Sequence, residues 1–142
     1  MKWIVQNENE LAIIAPQIIE NIPKSGVVLI EGQMGAGKTT TVRFILSTIS
    51  YDSFKGSPTF SLVNEYSSKT DNSIYHFDLY RIEHPSELQQ IGIEEYFDNG
   101  SLSFIEWPEK SLDFLPENKI WMYISVGIDN ERIIELKNDY RS

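Results

Sequence analysis

Gly32-Gln33-Met34-Gly35-Ala36-Gly37-Lys38-Thr39 meets the phosphate-binding loop pattern G-x-x-x-x-G-K-[ST] at every fixed position, and its reading decides the fold. Immediately before it, Val27-Val28-Leu29-Ile30 is a short, apolar, β-branched run, the mark of a buried parallel strand. After it, Val42, Ile45 and Leu46 recur at helical spacing within the segment from Thr40 to Ser47. Strand, glycine loop and helix is the order that phosphate chemistry requires. Glycines let consecutive backbone N–H groups point into one concavity, and the helix N-terminus adds partial positive charge there. In that setting Lys38 reaches towards β- and γ-phosphates, and the Thr39 hydroxyl can ligate Mg²⁺. The expected ligand is a nucleoside triphosphate.

Working outward towards the N-terminus, Lys2-Trp3-Ile4-Val5 reads as a short strand. Asn7 followed by Glu10 resembles a helix-starting capping pair, and Leu11, Ile14, Ile18 and Ile22 keep a helical stripe. Pro16 interrupts that stripe, so the helix is expected to kink there or to begin near it. In the other direction, Phe60 to Tyr66 and Ser73 to Tyr80 read as the two arms of a hairpin. Pro85 suits the first turn of a helix that Gly92 ends, and Ile93 to Phe97 makes a second short helix. Ser101 to Glu106 reads as another core strand, stopped by Pro108. Ile120 to Val126 and Arg132 to Leu136 look like a closing pair around Asp129-Asn130. No repeat, low-complexity tract or boundary interrupts this pattern. The expectation is one domain, 1–142, of the α/β P-loop NTPase class. Its sheet should be mixed, with a parallel core, an antiparallel hairpin portion and helices on both faces.

Composition narrows the function. The 142 residues contain no cysteine, which excludes a disulfide framework and a cysteine zinc site. No apolar stretch approaches the ~20 residues of a membrane span, and the first residues do not resemble a signal peptide, so a cytoplasmic protein is expected. A net charge of −9 with only 12 Lys and Arg argues against extended contact with nucleic acid, which needs clustered basic residues. The length is short for an enzyme that also carries a lid, an acceptor site and a base-recognition loop.

Hydrolysis or transfer needs a carboxylate near the metal and a group that positions the nucleophile. Carboxylates with those duties follow apolar strands whose C-terminal ends face the nucleotide. Asp78, after Ile74-Tyr75-His76-Phe77, and Glu106, after Leu102-Ser103-Phe104-Ile105, both satisfy that. Either could instead cap a strand end. Thr59 in Ser57-Pro58-Thr59 is a third candidate, as a γ-phosphate sensor in a switch loop. Guanine specificity finds little support: Ser68-Lys69-Thr70-Asp71 opens with the wrong residue, and Asn118-Lys119-Ile120-Trp121 lacks the aspartate.

Taken in order, these pieces resemble the bacterial TsaE (formerly YjeE) family, the tRNA threonylcarbamoyladenosine biosynthesis ATPases. The carriers are Gly32 to Thr40, Ser57-Pro58-Thr59-Phe60 and His76-Phe77-Asp78-Leu79-Tyr80-Arg81. Glu87, Gly92 and Glu94 follow at the family's spacing, and then Ile105-Glu106-Trp107-Pro108. The resemblance implies a slow ATPase that serves the TsaB–TsaD pair in modifying tRNAs that read codons starting with adenine. It implies ATP and Mg²⁺ as ligands, with Gly35, Ala36, Gly37, Lys38, Thr39 and Thr40 around the phosphates. By the same resemblance Thr39 and Glu106 would ligate the metal, and Asp78 would orient or deprotonate the attacking water with Lys38 as catalytic cation. Thr59 would lie in the switch-like loop, Trp107 would be functional, and Arg132 would lie near the nucleotide. The family's threonine that opens the first helix, near the adenine, falls here at Glu10 or Leu11. Two other readings remain: a small-molecule kinase, and a nucleotide-dependent binding switch without significant catalysis.

Overall fold

The architecture, given by a computed structural model that describes residues 1–50, 62–69 and 72–139, is one seven-stranded mixed sheet between two helical layers. Its strands are β1 (Lys2–Val5), β2 (Gly26–Glu31), β3 (Val63–Ser67), β4 (Ser73–Asp78), β5 (Leu102–Glu106), β6 (Lys119–Val126) and β7 (Arg132–Lys137). The spatial order is β1-β7-β6-β2-β5-β4-β3. Strands β6, β2, β5 and β4 run parallel as a central block. Antiparallel pairs close it on both sides: β3 on β4, and β7 on β6 with β1 beyond. The expected parallel core and hairpin are both present. The recruitment of Ile120 to Val126 into the parallel block, with β1 on its far side, is new.

Burial explains the unbroken apolar run in β2. Val28 and Ile30 pack with Leu11 and Ile18 of helix α1 (Glu8–Glu20) and with Val42, Ile45 and Leu46 of helix α2 (Lys38–Ile49). Val27 and Leu29 point the other way, beneath Leu88 of α3 (Ser86–Gln90) and Ile93 of α4 (Ile93–Phe97). Residues alternate between two covered faces, so neither parity is polar. The helices do lie on both sides.

Helix α1 resolves the question raised by Pro16. It starts at Glu8, with the Asn7 side chain accepting from the Glu10 N–H at 3.0 Å, and runs through Pro16 to Glu20. Pro16 lies on the exposed side, where the carbonyl left without its helical donor can meet water. The Glu10 carboxylate reaches back to the Gln6 N–H at 2.6 Å, completing a reciprocal cap of the kind the spacing suggested. Asn118 also has a structural duty: its side chain donates to the Ser25 carbonyl and its own carbonyl accepts from Val27 N–H at 3.0 Å, tying β6 to the start of β2.

Candidate functional site

The parallel register brings the sequence's chemistry to one edge. Ile30, Glu106 and Asp78 are successive partners across β2, β5 and β4, so the three strands end level with one another. The glycine loop springs from β2 at that level and turns into α2. Gly37 takes the left-handed conformation (φ 93°) and caps α2 without a side chain, leaving the first-turn N–H groups turned to the cavity. A Cβ on Gly37 would also lie 2.5 Å from the Arg132 guanidinium, which would have to swing aside, so the backbone conformation is what calls for glycine.

A cavity of about 450 Å³ results, lined by Gly35, Gly37, Lys38, Thr39, Thr40 and Met34, and closed by Asp78, Tyr80, Glu106, Trp107 and Arg132. Lys38 Nζ donates to the Gly32 carbonyl at 2.5 Å and lies 3.4 Å from the centroid of the Trp107 ring. Only 6% of Lys38 is exposed. Burial lowers its pKa, against the opposing pull of the Glu106, Glu109, Asp78 and Glu31 carboxylates. Trp107 holds a left-handed backbone (φ 57°), a strained conformation for a bulky residue. The strain puts its ring under the ammonium, and Tyr80 packs against that ring at 5.1 Å between centroids.

The two carboxylates have different surroundings. Glu106 is 2% exposed, and its Oε1 lies 3.2 Å from Thr39 Oγ1, while its Oε2 lies 2.6 Å from His76 Nε2. Asp78 is partly exposed and accepts from the Tyr80 N–H at 3.1 Å. One carboxylate is therefore buried with a partner on each oxygen, and the other stands within reach of solvent. The Thr39 and Glu106 oxygens fit Mg²⁺, which takes hard oxygen ligands at about 2.0–2.1 Å. Adjacent octahedral ligands at that radius stand about 3 Å apart, close to the separation seen here. Protein sites for this ion commonly supply one or two carboxylates and leave the rest to phosphate and water.

Gly35, Ala36, Gly37, Lys38, Thr39, Thr40, Asp78, Glu106, Trp107 and Arg132 thus gather around one loop. Thr59 and its Ser57-Pro58 neighbours lie outside the described residues. At the opening of the first helix, Glu10 and Leu11, where the family's threonine falls, do not line the phosphate-loop cavity. Leu11 is in the core and Glu10 bonds Gln6, so neither faces a cavity. A second hollow of about 250 Å³ is lined instead by Gln6, Asn7 and Glu8, together with Gly35, Ala36, Asn130 and Arg132. The reason is the cap: Asn7 caps a helix that begins at Glu8, and by Leu11 the chain has turned inward. Two residues given no duty from the sequence also sit in the site, Tyr80 at the mouth and His76 behind Glu106. Both stand in the His76 to Arg81 segment that carried the resemblance, which was the available signal. Among the described residues no helix is long and apolar enough to cross a membrane.

Known proteins resemble this chain in sequence and in overall fold. The sequence profile of the family described as threonylcarbamoyl adenosine biosynthesis protein TsaE matches residues 5–134. The tRNA threonylcarbamoyladenosine biosynthesis protein TsaE of Haemophilus influenzae is 44% identical over 113 residues, which cover 80% of this chain and 70% of that one. The protein of the same name from Bacillus subtilis is 31% identical, over 94% of this chain and 83% of its own. Among solved structures, Bacillus subtilis YdiB superposes with a TM-score of 0.72 at 27% identity, covering 94% of this chain and 82% of that one. On the extent of these matches, the chain belongs to the TsaE family.

Proposed function

We propose that this protein is a Mg²⁺-dependent ATPase of the cytoplasm that acts on the TsaB–TsaD complex during threonylcarbamoyladenosine modification of tRNA. One observation carries the reading: Asp78 and Glu106 end neighbouring parallel strands as register partners, in the cavity that holds Lys38 and Thr39. ATP phosphates occupy the loop, with the first-turn N–H groups of α2 and the Lys38 ammonium around them. Thr39 Oγ1 and the Glu106 carboxylate hold Mg²⁺, which neutralises phosphate charge when bound. Asp78 orients a water against the γ-phosphorus and takes its proton as the bond to the β–γ bridging oxygen breaks, giving ADP and phosphate. Lys38 leaves the Gly32 carbonyl to do its part, and Trp107 keeps its stem in place. Family membership supports the assignment to threonylcarbamoyladenosine formation, and the acidic surface suits a factor that serves tRNA chemistry through a protein partner.

Capture of TsaB–TsaD by the immobilised protein, with ATP, ADP or no nucleotide, is the test, run beside an assay of phosphate release. Stronger capture with ATP than with ADP, together with released inorganic phosphate, is expected. Transfer of the phosphoryl group to a small acceptor would establish the kinase reading instead. Nucleotide-dependent capture with no phosphate release would leave a binding switch, and nucleotide-independent capture would exclude control by ATP.

A further inference from the structure

We propose that His76 is a positioning residue that sets the divalent-cation affinity of the site by holding the Glu106 carboxylate, an inference that rests on the Glu106 duty proposed above. His76 is fully buried, two residues before Asp78 on the same strand and face. Its Nε2 lies 2.6 Å from Glu106 Oε2, between side chains that expose 0% and 3% of their surface. An ionised carboxylate only accepts hydrogen bonds, so Nε2 carries the proton in this contact. His76 pairs in register with Phe104, and Glu106 with Asp78, so the contact runs diagonally between two strands already locked by backbone bonds. A rigid frame therefore fixes where the donor stands.

The two oxygens of Glu106 then have separate duties. Oε1 faces Thr39 at 3.2 Å, and the threonine hydroxyl can donate its proton to Oε1 while turning a lone pair to a cation. Oε2 faces His76 and is withdrawn from the cavity. A glutamate carboxylate stands on three rotatable single bonds and would otherwise turn, and each misplaced rotamer removes a ligand from the metal. Burial raises the stakes, because a charged carboxylate out of water is costly unless hydrogen-bonded. Partners that orient a metal-binding side chain typically control affinity by about 10–100-fold. His76 does not line the cavity, so its effect is expected on the cation and not on the nucleotide.

Three variants separate these outcomes: His76→Phe removes the donor and keeps an aromatic ring, His76→Asn keeps polarity but is too short, and His76→Gln places an amide donor near the Nε2 position. Affinity for a fluorescent ADP is measured in EDTA and then across a Mg²⁺ titration, with thermal melts to confirm folding. The Mg²⁺ midpoint should rise about 10–100-fold in His76→Phe and His76→Asn, stay within a few-fold in His76→Gln, and leave the metal-free ADP affinity unchanged. An unshifted midpoint in folded His76→Phe or folded His76→Asn overturns the proposal, as does an equal shift in His76→Gln. If His76→Phe does not fold, the comparison of Asn with Gln decides. Glu106→Ala is the control: if it too leaves the midpoint unmoved, the metal duty of Glu106 falls first. If it shifts the midpoint while the His76 variants do not, only the inference about His76 falls.

Discussion

Strands β2, β4 and β5 are buried along most of their length and end together at Ile30, Asp78 and Glu106, whereas the outer strands β1 and β7 alternate buried and open residues. The contrast follows from direction. Parallel neighbours present the same end to the same edge, so a polar residue placed last on each strand meets the others there. Strand β7 runs the opposite way and delivers its first residue, Arg132, to that edge, paired with Val5 and Val126. Strand β1 runs with the parallel block, and the chain leaving it brings Gln6, Asn7 and Glu8 to the second hollow. Under the proposed function the centre would supply the reacting groups, and the margin brings Arg132 and one wall of the cavity.

Four experiments would break or sharpen that division. The largest effect is expected at the centre: Asp78→Asn should slow ATP hydrolysis by about 10²–10⁴-fold, the span of a general base. Binding of a fluorescent ATP analogue should stay near wild type, and lost binding with normal turnover would exchange the duties of Asp78 and Glu106. Next, Lys38→Met should reduce turnover by about 10²–10³-fold, as for other positioned cations and donors on developing charge. Unchanged phosphate release in the folded variant would remove the loop from catalysis altogether.

At the margin the expected damage is to stability. Ile134 of β7 is fully buried, and Ile134→Ala should destabilise the fold by about 2–5 kcal/mol, read by urea titration. The kcat of the molecules that remain folded should change by less than about threefold, since no reacting group moves; a larger loss would show that the margin shapes the chemistry. The smallest effect returns to Lys38. Its lowered pKa means that the folded state disfavours the charged ammonium, so the unfolded state binds more protons between the two pKa values and stability rises with pH there. Lys38→Met should therefore raise the melting temperature of the nucleotide-free protein at neutral pH. The gain should fade as pH climbs towards the ordinary lysine value of 10.5, and a lower melting temperature would mean that the Gly32 and Trp107 contacts outweigh burial.

The glycine loop, its strand and its helix were legible because each rests on local rules: short-range apolar spacing, positive-φ glycines and a helix start. Asp78 and Glu106 were legible as strand-end carboxylates, and their segments carried the resemblance to the TsaE family, but Tyr80 and His76 in those same segments drew no duty. Local rules also placed Asn7 as the cap of α1, but not which residues of that turn face a cavity. The family's threonine falls at Glu10 or Leu11, a departure that left the adenine contacts open, and the helix carries Leu11 into the core.

Everything that depended on pairing distant segments was decided by the tertiary structure. Which strand lies beside which is not encoded in periodicity, since any apolar run of the right length could sit next to β2. That β6 joins the parallel block, that β7 points Arg132 at Gly37, and that Glu106 is gripped between Thr39 and His76 all follow from the register. The different environments of Asp78 and Glu106 arise in the same way. Both are carboxylates at the end of mostly apolar strands, and only packing leaves one in reach of water and buries the other.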